Sequence, residues 1–470
     1  MNGRLTTLFN SWFSISAGLS YGRILKYFYP ECITALIIYF LPYCIDCLFI
    51  CNLKSTSTYA VSGIIDNFLT MFLKIAEAFP TGIVIIAGFF NGQKEYKKAG
   101  EAFVDAFWTV VGIGALLSTL LYFSVSLVCT FNKFSPEMVA QGVPYLRLKA
   151  VSIFFMFTYF SLVGFVRALK NTFVPMVVFG LGSILFVAVD YVLIFGKCGF
   201  PQMALMGSAT ASLVQYTFMC GVMLLYVLYA PSHRPYAIQL FSDSFSYQRI
   251  YDLFKVSLPV VIDKVSIAFA YAWLGSCMSQ LGHQAGAAFA CIKMMERFAF
   301  LPAIACSQVI TFLVSNDLGK GSWDDITANI KRILIISGSF VGTILLIGSI
   351  WPLWFVQFFD VNGEFSYIVA TIFPALSVLI LIDLLQLILS GALRGAGDVK
   401  TVMWTRVVVI SCFFIPGTYV IDCIPFDTIV YKMLVTYALF LIGNGLMSLV
   451  YIYRLSQDHW KINKKKAFNG

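Results

Sequence analysis

The sequence predicts an all-α integral membrane protein with about twelve transmembrane helices in two pseudo-symmetric six-helix bundles. Hydrophobic residues make up 59% of the 470 positions and charged residues 12%, whereas a soluble protein carries about 25% charged residues. Uninterrupted apolar runs such as 330–358 and 428–453 exceed the roughly 20 residues that cross a bilayer. They exclude the alternating strands of a membrane barrel. Short motifs also recur in order across the middle of the chain, which predicts the two bundles.

Each predicted span is an apolar run bounded by polar or turn-forming residues. The first 23 residues hold Arg4, Trp12 and Phe13 without a cleavage pattern, which predicts an interfacial segment and not a signal peptide. The predicted spans are 24–50, 59–90, 103–130, 146–169, 173–195, 204–230, 252–281, 287–314, 330–358, 366–393, 402–421 and 428–453.

The net charge of +9 reflects the orientation of the chain in the membrane. Lys and Arg collect in segments that an even number of spans places on one side, including 94–98, 231–251 and the tail 454–470. Because cytoplasmic segments of membrane proteins are enriched in basic residues, the pattern predicts both termini in the cytoplasm. We expect a multi-pass protein of the plasma membrane, which is the inner membrane in a bacterium, with no nucleic-acid partner.

The reactive side chains are too scattered for a metal or catalytic site. His233, His283 and His459 all lie in loops or the tail, so no histidine is available within a span as a general base. Cys44 and Cys47 form one C-x-x-C pair inside an apolar span, and no second pair follows to complete a zinc site. We therefore predict a protein that is not an enzyme and uses no metal and no cofactor.

The longest polar stretch lies near the middle of the chain and predicts its domain organisation. The predicted parts are an N-terminal interfacial segment 1–23, an N-terminal lobe 24–230, a cytoplasmic linker 231–251, a C-terminal lobe 252–453 and a basic tail 454–470. Six spans per lobe give both lobes the same orientation in the membrane.

Three short patterns echo across the linker. They are a glycine and an arginine near the end of the fourth and tenth spans, a Lys-x-x-Glu pair in the second and eighth spans, and a proline early in the first and seventh. The matched positions are Arg167 with Arg394, Lys74 and Glu77 with Lys293 and Glu296, and Pro30 with Pro259. Internal repeats are typical of secondary transporters, whose substrate sites lie between the repeats.

The end of the tenth span, residues 391–400, reads G-A-L-R-G-A-G-D-V-K. It resembles the G-x-L-R-G-x-G-D-x-[KR] motif of the multidrug and toxic compound extrusion (MATE) family of the MOP flippase superfamily. Segments 190–196, 206–210 and 315–319 also resemble that family, so the resemblance covers essentially the whole chain. It implies a monomeric cation-coupled antiporter that exports organic, cationic drugs or metabolites by alternating access.

The resemblance also implies coupling residues within the spans. Asp46 and Asp190 fall on acidic positions of the family's N-terminal half, and Asp383, with Gln386 one turn on, falls on its C-terminal coupling acid. The family often has Asn four residues before the fifth-span acid, where this chain has Phe186. Because one oxygen ligand of a sodium site is then missing, protons are favoured as the coupling ion and sodium is the alternative.

The tenth-span motif has a physical interpretation of its own. Arg394 lies at a helix C-terminus, where a cation meets the negative end of the helix dipole. Gly395 and Gly397, after Gly391, permit a sharp turn, and Asp398 is placed to cap the next helix. The motif is therefore expected to be structural.

Other charges within the spans need partners because a charge in the bilayer costs a few kcal/mol. The i,i+3 spacing of each Lys-x-x-Glu pair allows it to neutralise itself on one helix face, although a role in substrate binding or coupling stays open. Arg297 is left over and is expected to pair with Asp263. The two Lys-x-x-Glu pairs are Lys74 with Glu77 and Lys293 with Glu296.

Two alternatives to a drug antiporter remain. A lipid-linked precursor flippase of the same superfamily would carry basic groups in its central cavity, whereas the mid-span carboxylates here favour an exporter. A polytopic membrane acyl or glycosyl transferase would need a cluster of histidines or acids near one membrane face, and the loop histidines are too far apart in sequence for that.

Overall fold

The computed structural model describes residues 17–39, 45, 48–49, 56–131, 135–241, 246–357, 360 and 363–457, with the backbone alone at 56–60, 64, 67 and 131. Within these residues the regular structure is helical throughout, and no strand occurs. The predicted all-α class is therefore confirmed.

Twelve long helices follow one another in the described part of the chain. They are α1 (Tyr21–Tyr39), α2 (Thr56–Gly92), α3 (Tyr96–Phe131), α4 (Pro136–Ala168), α5 (Phe173–Phe195), α6 (Leu205–Tyr229), α7 (Tyr247–Gln280), α8 (His283–Lys320), α9 (Trp323–Ile350), α10 (Ser366–Gly395), α11 (Val399–Cys423) and α12 (Ile429–Ser456). A 3₁₀ helix, Pro231–Tyr236, follows α6, and a short helix, Pro352–Val356, follows α9.

Ten of these helices are long and apolar enough to cross a membrane over their described residues. The two others are α1, whose predicted span continues into residues outside the described set, and α7. Helix α7 has 34 residues, and its charged residues are Arg249, Asp252, Lys255, Asp263 and Lys264.

Two helices differ from their predicted shape. The span predicted at 330–358 is wrong at its end: α9 stops at Ile350, and Pro352 begins a separate short helix, because a residue before proline avoids helical geometry. Helix α11 contains a π-helical turn at Ile410–Phe414, and such turns often lie at functional sites.

The described residues divide into two compact units. The N-terminal unit is Tyr29–Val261, and the C-terminal unit combines the described residues up to Phe28 with those from Ile262 onward. The divisions fall inside α1 and α7, whereas the sequence placed them at a linker between spans. The predicted boundaries of the two lobes, the linker, the interfacial segment and the tail stay a prediction.

Close helix packing explains two glycines of the tenth-span motif. A Cβ at Gly391 would lie 2.7 Å from Ser307 Oγ, and one at Gly395 would collide with the Thr311 carbonyl oxygen, so both glycines bring α10 against α8. The turn predicted at Gly395 is therefore wrong for that residue. Gly397 does make the turn, with φ of +72°, a backbone conformation that favours glycine.

Candidate functional site

Asp263 of α7 binds two arginines in the C-terminal unit. Its Oδ2 accepts a hydrogen bond from Arg394 Nη2 at 2.6 Å, and its Oδ1 accepts one from Arg406 Nε of α11. The Asp263 and Arg406 side chains are almost fully buried. The predicted pairing of Asp263 with Arg297 is wrong: Asp263 pairs with Arg394 and Arg406, and Arg297 lies on an exposed part of α8.

The motif residue Asp398 does not cap α11 with its side chain, contrary to the sequence prediction. Its Oδ1 accepts a hydrogen bond from Thr401 Oγ1 at 3.0 Å, and its Oδ2 accepts one from Arg454 Nε at 2.7 Å. Arg454 belongs to the last turn of α12. Asp398 therefore ties the start of α11 to the end of α12, and the motif has a structural role as expected, through different contacts.

Asp383 lies in the interior of α10 and is 6% exposed. Glu296 of α8 and Arg406 of α11 are within electrostatic range of its carboxylate, and the Asn444 side chain of α12 lies beside it. Arg406 supplies a cationic neighbour that sequence spacing around Asp383 does not reveal. The structure thus brings two acids from different helices together in one unit.

Gln386 is buried one turn after Asp383, at 2% exposure. Its Nε2 has no hydrogen-bond partner among the residues that the structure describes, and the Tyr451 hydroxyl of α12 lies near its side chain. The same holds for the Nδ2 of Asn444. Since buried amide donors are normally satisfied, these two groups are available to a bound ligand or water.

Glu296 is held by tyrosines and not by its predicted partner Lys293. Its Oε1 accepts a hydrogen bond from Tyr271 Oη at 2.9 Å, and its Oε2 accepts a short one from Tyr437 Oη. The Lys293 ammonium instead lies over aromatic rings, 4.9 Å from the Tyr271 centroid and 5.8 Å from that of Phe289. The predicted direct Lys293–Glu296 ion pair is therefore wrong.

The matching pair in the N-terminal unit does neutralise itself. Lys74 Nζ lies 3.2 Å from Glu77 Oε2 and 4.6 Å from the Tyr39 ring centroid, and Tyr39 Oη donates to Glu77 Oε1 at 2.8 Å. The predicted Lys74–Glu77 pair is confirmed. Tyr216 of α6 is within electrostatic range of Glu77, as Tyr437 of α12 is of Glu296.

The fourth-span arginine also has an acidic partner, which the sequence did not single out. Arg167 donates to Glu31 through Nε at 2.7 Å and through Nη2 at 2.6 Å. Glu31 and Asp263 are separated by 232 positions, and so are Tyr39 and Tyr271, whereas the echoed prolines are separated by 229. Glu31 and Tyr39 of α1 therefore correspond to Asp263 and Tyr271 of α7, in an alignment of the two helices that is shifted by three residues from the one that matches the prolines.

The other predicted acid that the structure describes, Asp190, belongs to the N-terminal unit. Asp190 is fully buried in α5, and the helix continues to Phe195, with Gly196 as its C-cap. Asp190 thus lies inside the helix and does not cap it. Phe186 is buried one turn before it. Asp46 lies outside the described residues, as do Cys44 and Cys47.

Comparison with known proteins places this architecture in a family. The MatE family model matches residues 32–192 and again 259–420, so the two matches correspond to the two repeats. A MATE transporter mutant from Vibrio cholerae has a solved structure with a TM-score of 0.85 and 14% identity, covering 94% of this chain and 98% of that one. This likeness shows the fold.

Curated relatives are similar over part of their length. "Probable multidrug resistance protein NorM" of Thermotoga maritima is 27% identical over 290 residues, 61% of this chain and 61% of that protein. "Multidrug resistance protein MdtK" of Edwardsiella ictaluri is 23% identical over 335 residues, 70% of this chain and 72% of that protein. The two family matches together cover well over half of the sequence, and the chain is therefore a multi-pass membrane protein of the MatE family.

Proposed function

We propose that this protein is an antiporter that exports organic compounds by alternating access and is driven by the entry of protons or sodium ions. The observation that carries the proposal is the pair of buried carboxylates in the C-terminal unit, Asp383 and Glu296, within electrostatic range of each other. The names of the relatives, multidrug resistance proteins, support export of drugs.

The charges around Asp383 suggest how an ion and a substrate could compete. Asp263 forms ion pairs with Arg394 and Arg406, so its charge is already neutralised and its role is structural. Asp383 has no such short ion pair with a described residue, so its charge is available. When Asp383 is ionised it attracts a cationic group, and when it binds a proton or sodium ion that attraction is lost. The coupling ion and a cationic substrate that compete for one site each lower the affinity of the protein for the other, by the same factor.

Protons are the coupling ion that we favour. Sodium binding needs several oxygen ligands, and in the N-terminal unit the position one turn before Asp190 is the buried hydrocarbon side chain of Phe186. A proton needs a single carboxylate oxygen. We further propose that the protein works as a monomer in the plasma membrane, with both termini in the cytoplasm.

The test is transport of a fluorescent organic cation by the full-length protein in liposomes, under a pH gradient or a sodium gradient imposed separately. We expect transport with the pH gradient and its loss in Asp383→Asn, which is neutral at every pH. Asp422→Asn is the control, because the Asp422 side chain is 53% exposed. Transport at the wild-type rate by Asp383→Asn would overturn the assignment of coupling to this unit, and transport driven by sodium alone would overturn the preference for protons.

A further inference from the structure

Arg406 of α11 interacts with two acids of the C-terminal unit. Its Nε donates a hydrogen bond to Asp263 Oδ1, and it also has an electrostatic interaction with Asp383 of α10. Arg406 is 2% exposed and Asp383 is 6% exposed, and buried charges are screened little by salt and water. Both carboxylates therefore attract the same guanidinium. Asp263 binds it, and Asp383 forms no ion pair within 4.0 Å with a described residue.

A tyrosine of α12 connects the surroundings of Arg406 with those of Asp383. The Tyr451 hydroxyl donates a hydrogen bond at 3.3 Å to the carbonyl oxygen of Val402, one turn before Arg406 on α11. The same hydroxyl lies near the side chain of Gln386, one turn after Asp383 on α10. The other charged or titratable side chains with an electrostatic interaction with Asp383 are Glu296, Tyr271 and Tyr437. Arg406 is thus the cation that acts on Asp383 in the described part of the chain.

The second arginine of Asp263 is too far from Asp383 to act in the same way. Arg394 donates from Nη2 to Asp263 Oδ2 at 2.6 Å, but it follows Asp383 by 11 residues on α10. At 1.5 Å per residue the two positions are about 16 Å apart along the helix axis, which exceeds the combined length of the two side chains. Arg394 therefore shares the acid with Arg406 without sharing its second interaction.

The N-terminal unit lacks both members of the pair formed by Asp383 and Arg406. The separation of 227 positions that relates the fourth-span and tenth-span arginines matches this pair with Met156 and Phe179. Both of these side chains are apolar and buried. The repeated fold therefore requires neither charge. The acid and the arginine occur together in one unit and are both apolar in the other, which indicates that they act as a pair.

We propose that Asp263 is a positioning residue for Asp383: by binding Arg406 it keeps this cation off the Asp383 carboxylate, which stays available to a cationic substrate. The inference rests on the proposed function, because it assumes that Asp383 attracts the substrate, and it adds the residue that keeps the carboxylate available. A buried arginine without a counter-charge is strongly destabilised. A guanidinium carries five N–H donors, so without Asp263 the Arg406 side chain would bind Asp383, and a substrate would have to displace it.

The first test is the affinity of the purified full-length protein for the organic cation rhodamine 6G, measured by fluorescence anisotropy. In Asp263→Asn we expect the affinity to fall about tenfold, which corresponds to ~1.4 kcal/mol. Adding Arg406→Gln removes the competing cation and should recover most of the wild-type affinity. The matched control is Asp263→Asn with Arg394→Gln, which loses the same number of charges but keeps Arg406, and it should bind as weakly as Asp263→Asn. A purely structural role of Asp263 predicts no recovery that is specific to Arg406.

The second test reads the Asp383 carboxyl group itself and needs no substrate. Dicyclohexylcarbodiimide reacts with protonated carboxyl groups in apolar surroundings, and mass spectrometry locates the modified residue. We expect modification of Asp383 in wild type, its loss in Asp263→Asn and its return when Arg406→Gln is added. If Asp263→Asn does not fold, Arg406→Gln alone decides. Retained or increased dye affinity and modification support the proposal, and a fall in both at a wild-type unfolding midpoint would overturn it.

Two further outcomes contradict the proposal. They are wild-type affinity and modification in Asp263→Asn, and a defect that Arg394→Gln relieves as well as Arg406→Gln does. Transport of rhodamine 6G by the wild type under a pH gradient tests the export function separately. If binding and modification follow the expected pattern but the dye is not transported, the export function is wrong and the positioning role stands. If the dye is transported and Arg406→Gln restores nothing, the export function stands and the positioning role is wrong.

Discussion

Both units contain a tyrosine, a lysine and a glutamate at matching positions, but the glutamate carboxylate has a different second partner in each unit. In the N-terminal unit Glu77 binds Lys74 and Tyr39, so the charges cancel locally. In the C-terminal unit Glu296 binds Tyr271 and Tyr437, so the lysine ammonium remains free of a carboxylate. One carboxylate oxygen thus contacts a lysine in the N-terminal unit and a tyrosine in the C-terminal unit. We call the arrangement with the lysine–glutamate contact the closed site and the one without it the open site. Duplicated residues thus keep their positions in the two units while their charges take different roles.

The buried acid that binds arginine also has different partners in the two units. Glu31 meets one guanidinium, that of Arg167, whereas Asp263 meets two, those of Arg394 and Arg406. The additional Arg406 is also the cation within range of Asp383. Elements beyond the repeated pattern therefore accumulate in the C-terminal unit, which is where we place coupling and substrate recognition.

The largest expected effect comes from removing the acid that serves two arginines. Asp263→Asn removes the ion-pair partner of two guanidinium groups, those of Arg394 and of the buried Arg406, and breaking a buried pair from one side costs about 3–5 kcal/mol. Glu31→Gln removes the partner of one, that of Arg167. We expect the midpoint of thermal unfolding in detergent to fall further for Asp263→Asn than for Glu31→Gln, with Asp422→Asn near wild type. Equal losses for the two buried acids would show that Arg406 adds nothing to the network.

A smaller effect is expected from removing each lysine of the repeated pairs. Lys74→Met removes the ammonium partner of Glu77, which keeps the hydrogen bond from Tyr39, and loss of a hydrogen-bonded charged partner costs about 1.5–3 kcal/mol. Lys293→Met removes two cation–π contacts but leaves Glu296 hydrogen-bonded to both tyrosines, so its unfolding midpoint should fall less than that of Lys74→Met. The double variant Lys74→Met with Glu77→Gln should recover part of the loss. If the two single lysine variants lose the same stability, the closed and open sites do not differ as described.

Sequence patterns predicted the elements that depend on local composition. The apolar runs gave the helices, and the repeated G-x-x-R and K-x-x-E patterns gave the correspondence between repeats. The i,i+3 pair Lys74–Glu77 was also predictable, because both members lie on one helix. The end of α9 could have been recognised from the Trp351-Pro352 step, since the chain avoids helical geometry before proline.

The contacts that the sequence missed join distant helices. Arg406 lies 143 positions from Asp263, and Tyr437 lies 141 positions from Glu296. No spacing rule marks these partners, because an arginine or tyrosine in an apolar helix could face any neighbour. The identical separation of Glu31 from Asp263 and of Tyr39 from Tyr271 was a usable signal, but the proline match pointed to a register three residues away.

The smallest expected effect concerns pH and His233, a buried histidine of the N-terminal unit. His233 lies in the 3₁₀ helix after α6, packs against the Tyr226 ring at 4.9 Å between centroids, and places Nδ1 3.1 Å from the Val227 carbonyl oxygen. Burial lowers the pKa of His233 below its ordinary value of 6.5, against the opposing effect of the backbone hydrogen bonds. The folded protein therefore binds a proton here less readily than the unfolded chain.

The sign of the pH dependence follows from linkage. Above the unfolded pKa neither state is protonated and His233 contributes no pH dependence. As the pH falls through that value the unfolded chain takes up the proton first, so stability is lost. We expect the unfolding midpoint to drop between about pH 7.5 and about pH 5.5, and less so in His233→Gln. The exposed His283 at the start of α8 gives the matched control, His283→Gln, which should keep the wild-type drop. If His283→Gln flattens the pH profile while His233→Gln does not, the pH-sensitive side chain is His283 of the C-terminal unit, and the role given to His233 is wrong.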